Sequence, residues 1–343
     1  MLDIITEKKE WENALEQLGS FDFYHTYNYH HLSKKDSEDP VLFLYSKDTL
    51  KIALPLLIRP IKGTPYLDAT SVYGYAGPIC NNSLDDNAVK EFQNSLINYF
   101  KKRNIISVFS RLNPYIPCQT KVLSGIGEVK SIGKVVNIDL TQTLDEQRSA
   151  YRRDTRSRTN KARRLCSVRK AETAEDIRSF IDVYIETMKK LEADSSYFFD
   201  EEYFFKFLES DGFETEILLA IDNESKEVAA GSMFVKTNNI IQYHLSGTNP
   251  KFMNIAPSRL LLDEMRIIGT QEKYIYFNLG GGYQSKEDAL FNFKSSFSKD
   301  IKQFNVWKLI VDEHIYNELK KDADITDTDY FPAYRATALI NNI

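Results

Sequence analysis

Cysteine is scarce in this chain: Cys80, Cys118 and Cys166 stand far apart in 343 residues, with no CxxC pair. That excludes a disulfide framework or a cysteine-based zinc site and fits a reducing compartment, the cytoplasm. Long apolar runs are missing too. The richest, Ile52-Ala-Leu-Pro-Leu-Leu-Ile58, falls far short of the roughly 20 residues that span a bilayer. The opening Met-Leu-Asp-Ile-Ile-Thr-Glu-Lys-Lys lacks the apolar core of a signal peptide. Excess positive charge is absent as well, and a formal charge of −5 argues against a general nucleic-acid coat. What remains, 42% hydrophobic and 27% charged residues, describes a globular protein, and 343 residues exceed one ordinary core. Two domains are expected.

The hydrophobic pattern repeats once along the chain. In the first half Asp3–Thr6 reads as a strand and Glu10–Leu18 as a helix. Val41–Tyr45 and Leu50–Ile61 form a hairpin, and an amphipathic helix places Val89, Phe92, Leu96, Tyr99 and Phe100 on one face. The strand Ile105–Ser110 follows. In the second half Ser167–Ala171 is a strand, and Thr173, with Asp176 three residues on, caps a helix whose stripe is Ile177, Phe180, Ile181, Tyr184, Met188 and Leu191. Glu216–Ile221 pairs with Val228–Thr237, and Ile240–Ser246 adds a third strand. Pro257 suits the first turn of a helix running through Arg266 and closed by Gly269. Tyr274–Leu279 and Asn305–Val311 are the last strands. The order resembles that expected of a GNAT-type acyltransferase domain, and meeting it twice suggests an internal duplication. The expected fold is therefore α/β (α+β), two tandem GNAT-like domains with mixed central sheets flanked by helices. The first spans 1–143, with the tail 322–343 packing back onto it, and the second spans 144–321.

Chemistry concentrates near the end of the chain. Tyr274-Ile-Tyr-Phe-Asn-Leu-Gly-Gly-Gly282 is followed by Leu290-Phe-Asn-Phe-Lys-Ser-Ser-Phe297. Lys294, flanked by Phe291, Phe293 and Phe297, is costly to bury unless its charge has a partner or a task. The glycine triplet lacks GxGxxG spacing, so Gly280 and Gly281 read as a turn that lets backbone approach a ligand. Tyr243 and His244 lie next to each other on a strand, where alternation lets only one face a groove. Arg152, Arg153, Arg156, Arg158, Lys161, Arg163 and Arg164 form a dense basic stretch wrapping most of a helix, a place for phosphates or a solvated linker. The aromatic run containing His25, His30 and His31 lacks acidic or cysteine partners, so a metal is not expected.

The chain resembles the Fem-type (FemABX) non-ribosomal peptidyltransferases and the related CelD/BioF-like GNAT group. The resemblance rests on Phe23-Tyr-His-Thr-Tyr-Asn-Tyr-His-His31, Pro55-Leu-Leu-Ile-Arg59, Ser71-Val-Tyr-Gly-Tyr-Ala-Gly-Pro78, the basic segment Tyr151–Arg164, Tyr243-His-Leu-Ser-Gly247, and Gly280-Gly-Gly282 leading to Phe293-Lys294. It implies catalysis in the second domain. Lys294 would stabilise the tetrahedral oxyanion, Tyr243 or His244 would stand near the attacking amine, and Phe293 against the acyl group or carrier. Ser258 and Arg259 would meet a carrier anion at a helix N-terminus, although Asn254-Ile-Ala-Pro-Ser-Arg259 lacks the glycine-rich acetyl-CoA signature. Gly280, Gly281, Arg152 and Arg156 would contact the carrier. Lys35, Arg111 and Asn113 would contact substrate in the first domain, with Asn113 standing where Fem proteins commonly carry an acid. No permanently bound cofactor is implied. The acyl donor is a co-substrate, aminoacyl-tRNA or an acyl-CoA or acyl carrier protein. The acceptor is an amine on a nucleotide- or lipid-linked glycan of peptidoglycan or polysaccharide synthesis, with peripheral contact at the inner membrane face. A non-catalytic scaffold with degenerate GNAT folds is the rival expectation.

Overall fold

The computed structural model describes residues 1–81, 84–323 and 328–336. It divides into two compact units, Met1–Ile132 with Phe304–Ile343, and Gly133–Gln303. In the first, the hairpin Asp39–Lys47 and Leu50–Pro60 is extended on one side by Leu2–Ile5 and on the other by Leu67–Thr70. Ile105–Arg111 pairs in parallel with Leu67–Thr70, and its other edge takes Val306–Ile310 antiparallel. Period-two alternation fills both faces. Val41, Phe43 and Tyr45 pack with Phe92, Leu96 and Phe100 of the helix Asp86–Lys102. Leu42 and Leu44 pack with Trp11, Leu15 and Leu18 of the helix Lys8–Leu18.

The second unit repeats this plan. Its sheet runs Glu128–Asp139, Tyr276–Gly280, Ile240–Thr248, Val228–Thr237, Glu214–Asp222, Cys166–Lys170. All neighbours are antiparallel except Ile240–Thr248 and Tyr276–Gly280, which are parallel. The helix Ala174–Lys190 starts at the expected Thr173–Asp176 capping box and buries Phe180, Ile181, Val183 and Tyr184. Leu191, counted in its apolar stripe, is 67% exposed. The helix Pro257–Gln271 covers the opposite face and does not end at Gly269. A Cβ at Gly269 would approach the Ile241 side chain to 2.5 Å, so the glycine serves helix-on-sheet contact rather than termination.

The closing strands depart from the reading by periodicity. Asn305–Val311, expected in the second domain, lies in Asp300–Ile310, whose Val306–Ile310 portion pairs with Ser107–Arg111 of the first unit. The corresponding place in the second unit is filled by Glu128–Asp139, a strand not expected from the sequence, whose Val136–Asp139 pairs with Tyr276–Gly280. The boundaries accordingly fall at 132/133 and 303/304 rather than 143/144 and 321/322. Of the tail, 328–336 packs on the first unit: the Tyr334 hydroxyl meets Ser107 at 2.7 Å and Arg335 Nε donates to Asp68 at 2.5 Å. Residues 324–327 and 337–343 lie outside the described residues.

Histidine burial gives the first unit a pH dependence. His25 and His30 are 0% exposed. Burial lowers them to about 4 and about 3. Below about pH 6.5 the unfolded chain takes up protons that the folded unit refuses. Stability is therefore full above pH 6.5 and falls by roughly 1.4 kcal/mol per pH unit per histidine on acidification. Urea midpoints followed by fluorescence between pH 7 and pH 4 should fall along this slope, and His30→Phe should flatten it. An unchanged slope in that variant would refute the assignment. Among the described residues no helix is long and apolar enough to cross a membrane, and no cluster of three or more His, Cys, Asp or Glu suits a metal.

Candidate active site

Two parallel strands part to make the site. Pairing between Ile240–Thr248 and Tyr276–Gly280 runs from Ile240–Tyr276 to Gln242–Asn278, and the strands then separate. The fork is pinned by side chains. Asn278 Nδ2 donates to Gln242 Oε1 at 2.8 Å, and Asn278 Oδ1 accepts from Gly280 N at 2.9 Å. Past the fork the glycine turn begins. Gly280 has φ +77°, and Cβ atoms at Gly281 and Gly282 would meet the Lys134 and Lys286 carbonyl oxygens at 2.7 and 2.0 Å. All three positions exclude larger residues, by conformation or by space.

Lys294 ends the short helix Ala289–Lys294, whose N-terminus is capped by Asp288 Oδ1 accepting from Phe291 N at 2.9 Å. The residue is 9% exposed, and its ammonium donates to the Gly281 carbonyl at 2.7 Å and sits 5.9 Å from the centre of the Tyr243 ring. The lysine thus touches the turn after one parted strand and an aromatic face on the other. Burial lowers it to about 8, opposed by the charge of Asp288. No salt bridge to a carboxylate holds it among the described residues.

A bulge settles which of Tyr243 and His244 faces this lysine. Met233 faces Leu245 and Phe234 faces Tyr243, so His244 is the inserted residue. Tyr243 stacks on Phe234 and donates to Ser246 Oγ at 2.5 Å, with burial raising its phenol above the ordinary value. His244 instead packs its ring 5.0 Å from Phe207, and burial lowers it to about 4. The lysine and the tyrosine come together; the histidine does not join them.

Beyond Lys294 lies a cationic wall. Arg259 Nη1 donates to Thr155 Oγ1 at 3.0 Å and Ser296 Oγ at 3.1 Å, with its guanidinium 4.8 Å from the centre of the Phe293 ring. Arg152 donates to Ser295 Oγ at 3.2 Å, and its backbone N–H to Ser296 O at 2.9 Å. The helix Arg153–Leu165 buries Thr155, Thr159 and Ala162 and turns its remaining residues outward. Arg156 is exposed there. Arg163 is bound to Asp263 and Glu264, and Lys161 Nζ donates to the Asn254 carbonyl at 3.3 Å. Ser258 stands in the first turn of Pro257–Gln271, which is entered through Ala256 in the left-handed region at φ 54°.

Two features escaped sequence reasoning. Asp263, 0% exposed, gathers Arg148, Arg163, Arg266 and Tyr151. Only tertiary contact makes that hub, so no local signal announces it. Asp288 did leave a signal, an N-cap residue three before Phe291. In the first unit Asn113 is 3% exposed and donates both amide protons, to Asp22 and to the Tyr75 carbonyl, each at 2.9 Å. Its Oδ1 accepts from Tyr115 N, which makes the residue an internal brace. Lys35 is exposed beyond the helix Tyr27–Ser33, its backbone N–H bound to Glu38. Arg111 ends Ile105–Arg111 beside the rings of Tyr73 and Phe109.

Comparison with known proteins bears on the fold. Residues 149–295 match the acetyltransferase (GNAT) domain family. The fold is similar to that of FemX, at 12% identity and TM-score 0.72, over 92% of this chain and 99% of that one. It is also similar to a conserved protein of unknown function from Bacteroides thetaiotaomicron, at 11% identity and TM-score 0.57, over 90% and 100% of the two chains. The C-terminal domain of a protein from Agrobacterium fabrum, named as a lysylphosphatidylglycerol synthetase, matches at 12% identity and TM-score 0.56 over 93% and 96%. No curated protein sequence matches the chain.

Proposed function

We propose that this chain, an acyltransferase of the GNAT superfamily with a Fem-like fold, moves an acyl or aminoacyl group from a phosphate-bearing carrier to an amine on a cell-envelope precursor. The observation that carries the reading is Lys294, a buried ammonium held at the fork of two parting strands and facing Tyr243. The amine nitrogen attacks the carbonyl carbon, and the oxygen gains negative charge beside the ammonium. Removing one such donor typically costs about 3 kcal/mol of barrier. The carbon–sulfur or carbon–oxygen bond to the carrier then breaks. The Tyr243 phenol, kept protonated by its raised pKa, is suited to hand its proton to the departing atom, while the amine loses its proton to water. Arg259, Arg152 and Arg156, with Lys161 and Arg164 exposed nearby on the same basic helix, suit the carrier's phosphates.

Resemblance to Fem-type enzymes favours an aminoacyl-tRNA donor and a nucleotide- or lipid-linked glycan amine as acceptor, and the missing glycine signature at Asn254–Arg259 speaks in the same direction. Incubation with aminoacyl-tRNA or acetyl-CoA and a UDP-linked muramyl peptide, read by mass spectrometry of the acceptor, tests the reading. The aminoacyl adduct is expected. No adduct from either donor would sink it. Thermal shift separates the carriers further, because a ligand at about hundredfold its Kd adds roughly 2.7 kcal/mol. In the same assay Tyr243→Phe should lower kcat about 10–100-fold with little change in KM, since general-acid help is felt only in the transition state. An unchanged kcat would remove Tyr243 from the chemistry.

A further inference from the structure

The first unit holds a cation that no described residue neutralises. Arg111 projects from the end of Ile105–Arg111, and its guanidinium lies 5.4 Å from the centre of the Tyr73 ring and 5.2 Å from that of Phe109. Among the described residues its side chain makes no hydrogen bond and no ion pair. The other arginines drawn into the interior of this unit are treated differently: Arg59 and Arg335 both bind Asp68, at 2.8 and 2.5 Å. Asp22 is already engaged by Phe23 N and by Asn113 Nδ2. The groups that act electrostatically on Arg111 are the hydroxyls of Tyr73, Tyr330, Tyr29 and Tyr75, and burial lowers it below the usual arginine value. A guanidinium desolvated by rings keeps its in-plane N–H edges as strong donors, and such an edge fits a carboxylate or phosphate bidentately.

The surroundings are fixed in advance of any ligand. Gly74, at φ +115°, lies so close to the Tyr24 ring that a Cβ would come within 1.9 Å of it. Tyr29 Oη donates to the Tyr73 carbonyl at 3.1 Å. The turn is thereby locked while the ring of Tyr73 stays 62% exposed, and Tyr330 nearby is 44% exposed. Rigid, exposed aromatic surface beside a cation with no counter-charge among the described residues is unusual where the only task is packing.

We propose that Arg111, flanked by Tyr73 and Phe109, is an oxyanion-recognition site of the first unit, taking a carboxylate or phosphate group that enters past the Tyr73 ring. This takes up the substrate contact expected of Arg111 and names the chemistry of its ligand, and its test does not depend on the acyl-transfer reading. The test follows the Arg111 Nε–H resonance of the full chain by NMR, assigned through Arg111→Gln, during titration with inorganic phosphate and separately with acetate. Saturable shifts with a Kd of about 1–20 mM are expected, the range of a single charge-assisted contact. Tyr73→Ala, an exposed substitution, should weaken binding about threefold or more while leaving the fold intact. Lys294→Met should bind as the parent does, which keeps the outcome apart from the fate of the catalytic proposal. A response to phosphate alone assigns a phosphate ligand, to acetate alone a carboxylate, and to both a shared oxyanion site. No saturable shift with either anion, or equal affinity in an Arg111→Gln variant followed by calorimetry, overturns the proposal.

Discussion

Lys294→Met is expected to abolish most acyl transfer while making the protein more stable. Loss of a positioned oxyanion donor typically lowers kcat about 10²–10³-fold. The stability change has the opposite sign because the native lysine is held against its own hydration. Its folded value of about 8 lies below the ordinary ~10.4 of an unfolded lysine. Between those two values the unfolded chain binds more protons, so stability rises with pH there and the penalty is fully present below about pH 8. That penalty is on the order of 3 kcal/mol, reduced by the hydrogen bond to Gly281 O that methionine also forfeits. A net gain of roughly 1–2 kcal/mol at pH 7 follows, read by urea denaturation. The parent enzyme should also lose kcat/KM as pH rises through about 8, because the cation is the active form. In Lys294→Arg, whatever activity survives should lose that alkaline limb. Activity that instead rose through this pH would make Lys294 a base and overturn the oxyanion role. A methionine variant both inactive and unstable would reduce the lysine to a structural part.

Asp263→Ala should strongly destabilise the second unit. Asp263 is 0% exposed and Arg266 2%, and the carboxylate also holds Arg148, Arg163 and the Tyr151 hydroxyl. Burial alone would raise the acid, yet it is lowered, because Arg266 and the other partners outweigh desolvation. Removing one member of such a group strands buried positive charge and costs about 3–5 kcal/mol, a fall in Tm on the order of 10 °C. The double variant Asp263→Ala with Arg266→Met should recover part of that loss, since the stranded cation leaves with it. Additive losses in the cycle would show that the two do not act as a unit. The same hub ties the basic helix Arg153–Leu165 to Pro257–Gln271 through Arg163. Carrier affinity is therefore expected to weaken in Asp263→Ala, even though the carboxylate is fully buried.

Both hairpins, the Thr173 cap and most of the apolar faces of the long helices were legible in the sequence, because each is set by neighbours a few residues away. The anomaly at Lys294 was legible for a similar reason: an ammonium among three phenylalanines stands out whatever the fold, and the structure does bury it. Tertiary structure alone decided the rest. Which strand closes each sheet depends on pairing between segments more than a hundred residues apart, and Glu128–Asp139 and Asp300–Ile310 carry no local mark of their partners. Tyr243 rather than His244 faces the lysine because one inserted residue shifts the strand's alternation. Gly269 became a contact and not a stop because Ile241 lies against it. Asp263 gathered its arginines only when two helices met, since electrostatic partnership is fixed by distance in space and leaves no period in the chain.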